Sequence, residues 1–252
     1  MSRYIYGIHP ALEALRATPG QIERVVLAEG PQRGPLAEIR ESARKLGLPT
    51  ETLPRQKLAQ LAGGGVHQGV VLRLAEFSYS DLDRIIERAQ AAGPEGLVLM
   101  LDGIEDPHNF GALVRSANAM GAQGVVIGKD RAAGVTPTVV KASAGAIAHV
   151  PIARVTNLAR ALGHLKDAGL WAVGADMSGD RLPEQVDLRG PSVLVIGSEG
   201  GGIRRIVLEA CDFRVRIPMA GEVSSLNASV AGALLLYEAT RQRRASKGES
   251  SR

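Results

Sequence analysis

The chain has 252 residues, enough for one large domain or a small domain beside a medium one, and its 45% hydrophobic content is ample for a packed core. Aromatic residues make up only 3%, which argues against RNA recognition dominated by an aromatic stacking platform, and the single Cys211 excludes an internal disulfide. The net charge of +4 is unevenly spread: residues 1–75 carry 10 Lys/Arg against 6 Asp/Glu, residues 76–240 carry 15 against 19, and residues 241–252 carry 5 against 1. A basic N-terminal segment and a basic tail suit an anionic partner such as RNA, although a solvated surface explains the same charge.

In chain order, Tyr4-Ile-Tyr-Gly-Ile-His-Pro10 leads into a short helix over Ala11–Arg16. Ile22–Ala28 reads as a strand, and Leu36, Ile39, Ala43 and Leu46 have helical spacing. Thr50–Leu53 is a candidate strand and Lys57–Leu61 a short helix. Gly63-Gly-Gly65 breaks the pattern before a strand over Gly69–Leu74. These elements predict a small α/β domain over residues 1–75. A linker over 76–94 holds one helix, with Ser80 as its cap and Gly93-Pro94 at its end.

The second domain is expected over 95–242. Strands at Leu97–Leu101, Gly124–Ile127, Leu170–Ala175, Val193–Ile196 and Phe213–Ile217 alternate with helices at Leu158–Ala168, Ile203–Ala210 and Ala228–Thr240. Such alternation predicts a mostly parallel sheet covered by helices. Residues 243–252 are charged and poor in apolar groups, which predicts a flexible basic tail. There is no run of roughly 18 apolar residues and no signal-peptide pattern, so a soluble cytoplasmic protein without a membrane partner is expected.

Three strand-to-helix loops carry candidate chemistry. The first is Asp102-Gly-Ile-Glu-Asp-Pro-His-Asn109 and the helix beyond it, where Arg115 sits among apolar neighbours. Asn109 and Arg115 are six residues apart, so they share a site only if Asn109 lies in the loop or first helical turn. A turn, a helix start and a surface arginine explain the same residues. The second loop, Leu194-Val-Ile-Gly-Ser-Glu-Gly-Gly-Gly-Ile203, is glycine-rich, and glycines allow close approach of a ligand to backbone. It is neither a dinucleotide fingerprint nor a Walker loop, and Glu199 would repel a pyrophosphate. A carboxylate there suits a ligand offering donors or a positive centre. The third stretch, Ile217–Ala231, holds Met219, Ser224, Ser225, Leu226 and Asn227 before an apolar helix. Helix capping by Ser225 or Asn227 explains it structurally, while strand ends that feed helix N-termini also hold ligands in α/β proteins. The five histidines are scattered and Cys211 has no partner, so no metal site is expected.

Taken together and in this order, the three loops resemble the SpoU family of RNA ribose 2′-O-methyltransferases, also called TrmH, within the SPOUT superfamily. Asp106–Gly111 with Arg115 is similar to the first family motif, Leu194–Gly202 to the second, and Ile217–Gly221 with Ser224–Asn227 to the third. Tyr6-Gly-Ile-His9, Val66-His-Gln-Gly69, Lys129-Asp-Arg131 and Arg154–Arg160 extend the likeness to the family's bacterial members that methylate a guanosine in the P-site loop of 23S rRNA. The resemblance implies an N-terminal L30e-like domain that binds the RNA substrate, and a catalytic domain with a deep trefoil knot. It implies S-adenosylmethionine as methyl donor, contacted by Gly197, Gly200, Ile217, Met219 and Leu226. It also implies a homodimer with the final helix in the interface.

By motif position, the catalytic set is Asn109, Arg115, Glu199, Ser225 and Asn227. In the family the matching arginine is proposed to activate the 2′-hydroxyl. A guanidinium is hard to deprotonate, so the chemistry of the residue favours clamping the adjacent phosphate and stabilising alkoxide charge. Asn109 and Glu199 would position Arg115 or the ribose. Other readings stay open on the residues alone: a tRNA or another rRNA site as substrate, a non-catalytic RNA-binding assembly factor, and, more distantly, a dinucleotide enzyme.

Overall fold

A computed structural model describes residues 4–75, 77–222 and 225–249. Ser224 of the third motif and residues 250–252 of the expected tail lie outside them. The chain divides into two compact units between Ser78 and Tyr79.

The first unit runs β1 (Tyr4–Tyr6), α1 (Ile8–Ala17), β2 (Ile22–Ala28), α2 (Pro35–Lys45), β3 (Thr50–Leu53), α3 (Arg55–Leu61) and β4 (Val70–Leu74). Its four strands form one sheet in the order β1-β4-β2-β3, antiparallel except for the parallel β2–β3 pair. One face packs Val25, Leu27 and Leu72 against Ala11, Leu15, Ile39 and Ala43 of α1 and α2. The other packs Val26 and Val71 against Leu58 and Ala62. The alternation of consecutive strand residues between two covered faces explains the apolar runs over residues 25–28 of β2 and 70–72 of β4.

The second unit begins with α4 (Leu82–Ala91). Then follow β5 (Leu97–Asp102), α5 (Pro107–Ala119), β6 (Gly124–Gly128), α6 (Pro137–Ala142), β7 (Ile152–Val155), α7 (Leu158–Asp167), β8 (Trp171–Ala175), β9 (Ser192–Gly197), α8 (Arg205–Glu209), β10 (Phe213–Val215) and α9 (Ala228–Glu249). All six strands pair in parallel, in the order β10-β8-β9-β5-β6-β7. The central strands β5 and β9 are buried at every residue, as the helix-covered middle of a parallel sheet requires.

Three features depart from the sequence-based expectations. The helix in the expected linker belongs to the second unit: Ile85 and Ala89 of α4 sit in its core. Ser80 is not its cap, because Asp81 holds the N-cap position and the Ser80 N–H donates to the Ile152 carbonyl at 2.8 Å, beside β7. The expected tail is not a tail over 243–249, because α9 runs on to Glu249. The physical reason is Arg243, only 5% exposed: its Nε donates to Leu188 O at 3.0 Å, Nη1 to Glu95 O at 2.8 Å, and Nη2 to Gly190 O at 2.8 Å and Gly96 O at 3.2 Å. One buried guanidinium thereby ties the helix to the starts of β5 and β9, an anchor that charge counting reads as a solvated cation. The short strand β7 and helix α6 also escaped the sequence pattern.

Candidate active site

The site is built where β5, β8 and β9 end, at the carboxyl edge of the parallel sheet, where open α/β folds form ligand crevices. At the end of β5, Asp102 is almost wholly buried, with 1% exposure. Its carboxylate accepts from the Arg204 backbone N–H at 2.8 Å and from Arg204 Nε at 2.7 Å. A buried carboxylate needs such pairing, and here the pairing fixes the far end of the loop that follows β9.

That loop is a tight turn. The Ser198 N–H donates to the Gly202 carbonyl at 3.0 Å and the Gly202 N–H returns to Ser198 O at 2.9 Å. Gly200 and Gly202 have φ of 77° and 62°, in the left-handed region that glycine tolerates. A Cβ on Gly197 would lie 2.0 Å from the Gly202 carbonyl carbon, so no larger residue fits there.

Helix α5 starts after Asp106, whose carboxylate accepts from the backbone N–H of His108 at 3.1 Å and of Asn109 at 3.4 Å. With Pro107 as its first residue, the start is fixed locally, and Asn109 falls in the first turn, as sharing a site demands. Asn227 caps α9: its Oδ1 accepts from the Ser229 N–H at 2.9 Å, the Ser229 hydroxyl at 2.6 Å and the Val230 N–H at 3.4 Å. The capping explanation of the third motif is therefore correct for Asn227.

The cap leaves the Asn227 amide nitrogen free to reach across. Asn227 Nδ2 donates to Asn109 Oδ1 at 2.9 Å and also to Glu199 Oε1. Asn109 Nδ2 donates to the same Glu199 oxygen at 2.9 Å, and the Ala228 N–H approaches it at 3.4 Å. One residue from each of the three motifs thus meets in a closed triangle.

Two cavities share this corner. One, of about 520 Å³, is walled by the Gly197–Gly202 turn on one side and by Ile217, Met219, Ser225 and Leu226 on the other. All five residues assigned to the donor line it: Gly197, Gly200, Ile217, Met219 and Leu226. The second, of about 470 Å³, is lined by Asp102, Glu105, Asp106, Asn109, Arg131 and Arg204. Glu199 lines both.

Arg115 is not brought to this corner. It is exposed on α5, lines neither cavity, and makes no hydrogen bond to Asn109 or Glu199 among the described residues. Ser225 lines the first cavity without joining the triangle. Sequence reasoning missed Asp176 and Met177, which follow β8 and close the first cavity, and the Arg131 and Arg204 pair on the second. Asp176 had one legible signal, its place just past a buried strand. Its carboxylate holds the loop by accepting from the Ser178 N–H at 2.9 Å and hydroxyl at 2.5 Å. Among the described residues, no group of three or more His, Cys, Asp or Glu is arranged to hold a metal ion, and no helix is long and apolar enough to cross a membrane.

Residues 96–237 match the SpoU rRNA methylase family, and residues 4–80 match the substrate-binding region of RNA 2′-O ribose methyltransferases. A Bacillus subtilis (strain 168) relative, YacO, whose name assigns it to the TrmH family of tRNA/rRNA methyltransferases, is 45% identical over 240 residues, covering 95% of this chain and 96% of YacO. The crystal structure of the SpoU methyltransferase AviRb from Streptomyces viridochromogenes with AdoMet superposes with a TM-score of 0.66 at 30% identity, covering 96% of this chain and 90% of that one. An AdoMet-bound rRNA methyltransferase from Sinorhizobium meliloti superposes with a TM-score of 0.63 at 26% identity, covering 94% and 86%. With residues 4–80 and 96–237 both matched and residues of the three motifs gathered at one corner, this chain belongs to the SpoU rRNA methylase family.

Proposed function

We propose that this member of the family transfers a methyl group from S-adenosylmethionine to a ribose 2′-oxygen of RNA, and that the nucleotide is a guanosine in the P-site loop of 23S rRNA. The observation that carries the reading is the Asn109–Glu199–Asn227 triangle at the wall common to the two cavities. A two-substrate transfer needs two pockets that meet at the reacting groups.

The first cavity fits the donor in its chemistry. Ile196, Ile217, Met219 and Leu226 offer apolar walls, and the Gly197–Gly202 turn exposes backbone where side chains would fill the space. Asp176 and Glu199 place carboxylates on the wall of a cavity meant for a cationic ligand. Its volume lies within the range of small-ligand pockets. When bound, the donor supplies an electrophilic methyl group on a sulfonium.

The residues of this chain have four tasks in that reading. Glu199, held by two amide side chains, presents a fixed carboxylate between the cavities. Asn109 and Asn227 fix its orientation and leave it little freedom to rotate. Arg131 and Arg204 offer guanidinium groups to the RNA phosphates beside the target ribose, on the second cavity. Arg115, exposed and without a carboxylate partner among the described residues, would clamp a phosphate further along the strand.

The reading includes a homodimer through α9. Val230, Leu234 and Tyr237 are 46%, 45% and 47% exposed and follow at i, i+4 and i+7, so they form one apolar stripe along the helix. Sedimentation of wild type and of Leu234→Glu tests this: a dimer that the substitution converts to monomer is expected, and a monomeric wild type refutes it.

The central experiment is methyl transfer from radiolabelled donor to unmodified 23S rRNA and tRNA transcripts. Label should appear on 23S rRNA, at a bond made resistant to alkaline hydrolysis. Label on tRNA alone supports the alternative substrate, and the broader name of YacO keeps that outcome in view. Donor binding without transfer to either RNA supports a non-catalytic factor.

A further inference from the structure

Among the described residues, the first unit gathers three of its four cations without ion pairs, Arg33, Arg55 and Lys57, on one edge of its sheet, and the reason is topological. Strands β2 and β3 are parallel and end together, Ala28 opposite Leu53. Strand β4 runs against β2 and begins at that same end, Val70 opposite Leu27. Strand β1 runs against β4 and finishes there, Tyr6 opposite Val71. Four chain segments therefore emerge side by side: 6–9, 29–34, 54–57 and 63–69. Backbone hydrogen bonds lock them, from Gly7 N to Val70 O at 3.3 Å, Ala28 N to Gly69 O at 2.9 Å and Glu29 N to Leu53 O at 2.9 Å. The Gln68 side chain closes the set by accepting from the Ile8 N–H at 2.9 Å, at the start of α1.

These segments carry Arg33, Arg55 and Lys57, all exposed and without ion pairs among the described residues. Glu29 is the one carboxylate in the four segments. The other cations of the unit are spent differently. Arg16 pairs with Glu38, Arg24 with Glu51, Arg73 with Glu23, and both Arg44 and Lys45 with Glu41. Arg40, midway along α2, is the remaining exposed arginine without an ion pair among them.

The same edge exposes apolar and aromatic groups that a solvated surface does not need. Val66 is 79% exposed at the tip of its loop, and Tyr6 is 37% exposed. The Tyr6 ring lies so close to Gly65 that a Cβ there would come within 2.4 Å of it. The ring is thus held against backbone on one side. Beside it, His67 Nδ1 accepts from the Gly69 N–H at 3.1 Å, which fixes the imidazole.

The geometry points to this edge, centred on Tyr6, Arg33, Arg55, Lys57, Val66 and His67, as the surface by which the first unit holds RNA: the cations neutralise phosphates of a single-stranded or looped segment, and the Tyr6 ring and Val66 pack against an unstacked base. The inference rests on the RNA-methylating reading above and adds which surface of the first unit grips the substrate. Single-stranded RNA is recognised by this combination of charge and a π-face, and one ring suffices where charge supplies most of the affinity.

The test measures binding of a fluorescent, unmodified 23S rRNA fragment containing the P-site loop by full-length protein at several salt concentrations. An edge variant, Arg33→Glu/Arg55→Glu/Lys57→Glu, is compared with a control of equal charge change, Arg16→Glu/Arg44→Glu/Lys45→Glu. The edge variant should lose at least about 10-fold in affinity, with a salt slope reduced by about 2, since each phosphate contact contributes about 0.7 on single strands. The control should lose less than about 3-fold, and Tyr6→Ala about 3- to 10-fold at unchanged salt slope, from lost stacking. Circular dichroism and thermal unfolding of every variant should match wild type, which shows that the first unit is folded, and calorimetric donor affinity should be unchanged because the donor cavity lies in the second unit. Equal losses in edge and control variants, or an edge variant that binds like wild type, overturn the inference. Methyl transfer by the same samples separates the two claims. A wild type that binds RNA through the edge but transfers no methyl group defeats the enzymatic reading alone, and an edge variant that binds normally while wild type transfers defeats the edge alone.

Discussion

Asn227 donates to Asn109 across 118 residues of sequence while its own side-chain oxygen caps α9. The two ends of one amide therefore perform two tasks that substitution can separate. Asn227→Asp keeps an oxygen for the cap but removes the amide donor and sets a second carboxylate beside Glu199. It should keep the thermal stability of wild type to within about 1 kcal/mol and lose methyl transfer. Asn227→Ala should lose both, with about 1 kcal/mol from the cap. Thermal denaturation and transfer assays on the two variants check this, and an active Asn227→Asp protein would mean that the asparagine is a cap only.

Glu199 is the acceptor on which the triangle converges, and it is exposed to both cavities. Glu199→Gln preserves shape but removes the charge and turns one acceptor into a donor facing the amides. Transfer should fall by about 10²-fold, the scale for removing one preorganised electrostatic group. Unfolding should be little affected, because the side chain is exposed. Single-turnover transfer beside a denaturation curve measures the two effects separately.

Gly197 has no space for a side chain, since a Cβ would meet the Gly202 backbone at 2.0 Å. Gly197→Ala must push the Ser198–Gly202 turn outward, and that turn is a wall of the first cavity. Donor affinity by calorimetry should drop at least about 10-fold while the circular dichroism spectrum stays that of wild type. Donor binding unchanged in a folded Gly197→Ala protein would place the donor elsewhere.

Arg243 satisfies four carbonyl oxygens at the starts of β5 and β9. Burial lowers its pKa below the ordinary guanidinium range, yet a guanidinium stays charged at any physiological pH. Arg243→Ala leaves these acceptors without their donor and should cost about 3 kcal/mol, since each unsatisfied buried group costs about 1–3 kcal/mol. Arg243→Lys should recover only part, because one ammonium cannot reproduce the planar fork. Chemical denaturation of both variants gives the comparison.

Cys211 is a chemical probe of the second unit. Burial, and then the neighbouring Asp212 carboxylate, push its thiol up to about 12 from 9.0. At pH 8 the thiolate population of the folded protein should be lower than in the unfolded chain by about 10³-fold, and the thiolate is the reactive form. A maleimide or disulfide reagent should modify Cys211 only on unfolding. Because the folded pKa lies above the unfolded one, the thiol's contribution to stability is complete below pH 9 and is lost as pH rises towards 12. Rapid labelling of native protein at pH 8 would contradict this burial.

Much of the architecture was legible because the physical signal is local. The buried strands β5 and β9 hold continuous apolar runs over residues 97–101 and 193–196, and Asp106-Pro107 states a helix start in two residues. The residues that line the first cavity were legible for a different reason: glycine and methionine at strand ends have little purpose in a plain turn, and the motif order tied them together. The missed elements lacked such signals. Strand β7 has only four residues, and α6 only six.

What the sequence by itself determined is the set of chemical groups and the local starts and stops of their elements: a capped helix at Asp106, a glycine turn at 197–202 and a capped helix at Asn227. What only the tertiary structure decided is which of these groups meet. Parallel pairing of β5 with β9 sets the loops after Asp102 and Gly197 side by side, so Glu199 reaches Asn109 at a separation of 90 residues. It leaves Arg115 outside the corner and turns Arg243 from a tail charge into an anchor. Side-chain propensity acts over a few residues, whereas a hydrogen bond between distant loops depends on strand order and register, which no local pattern encodes.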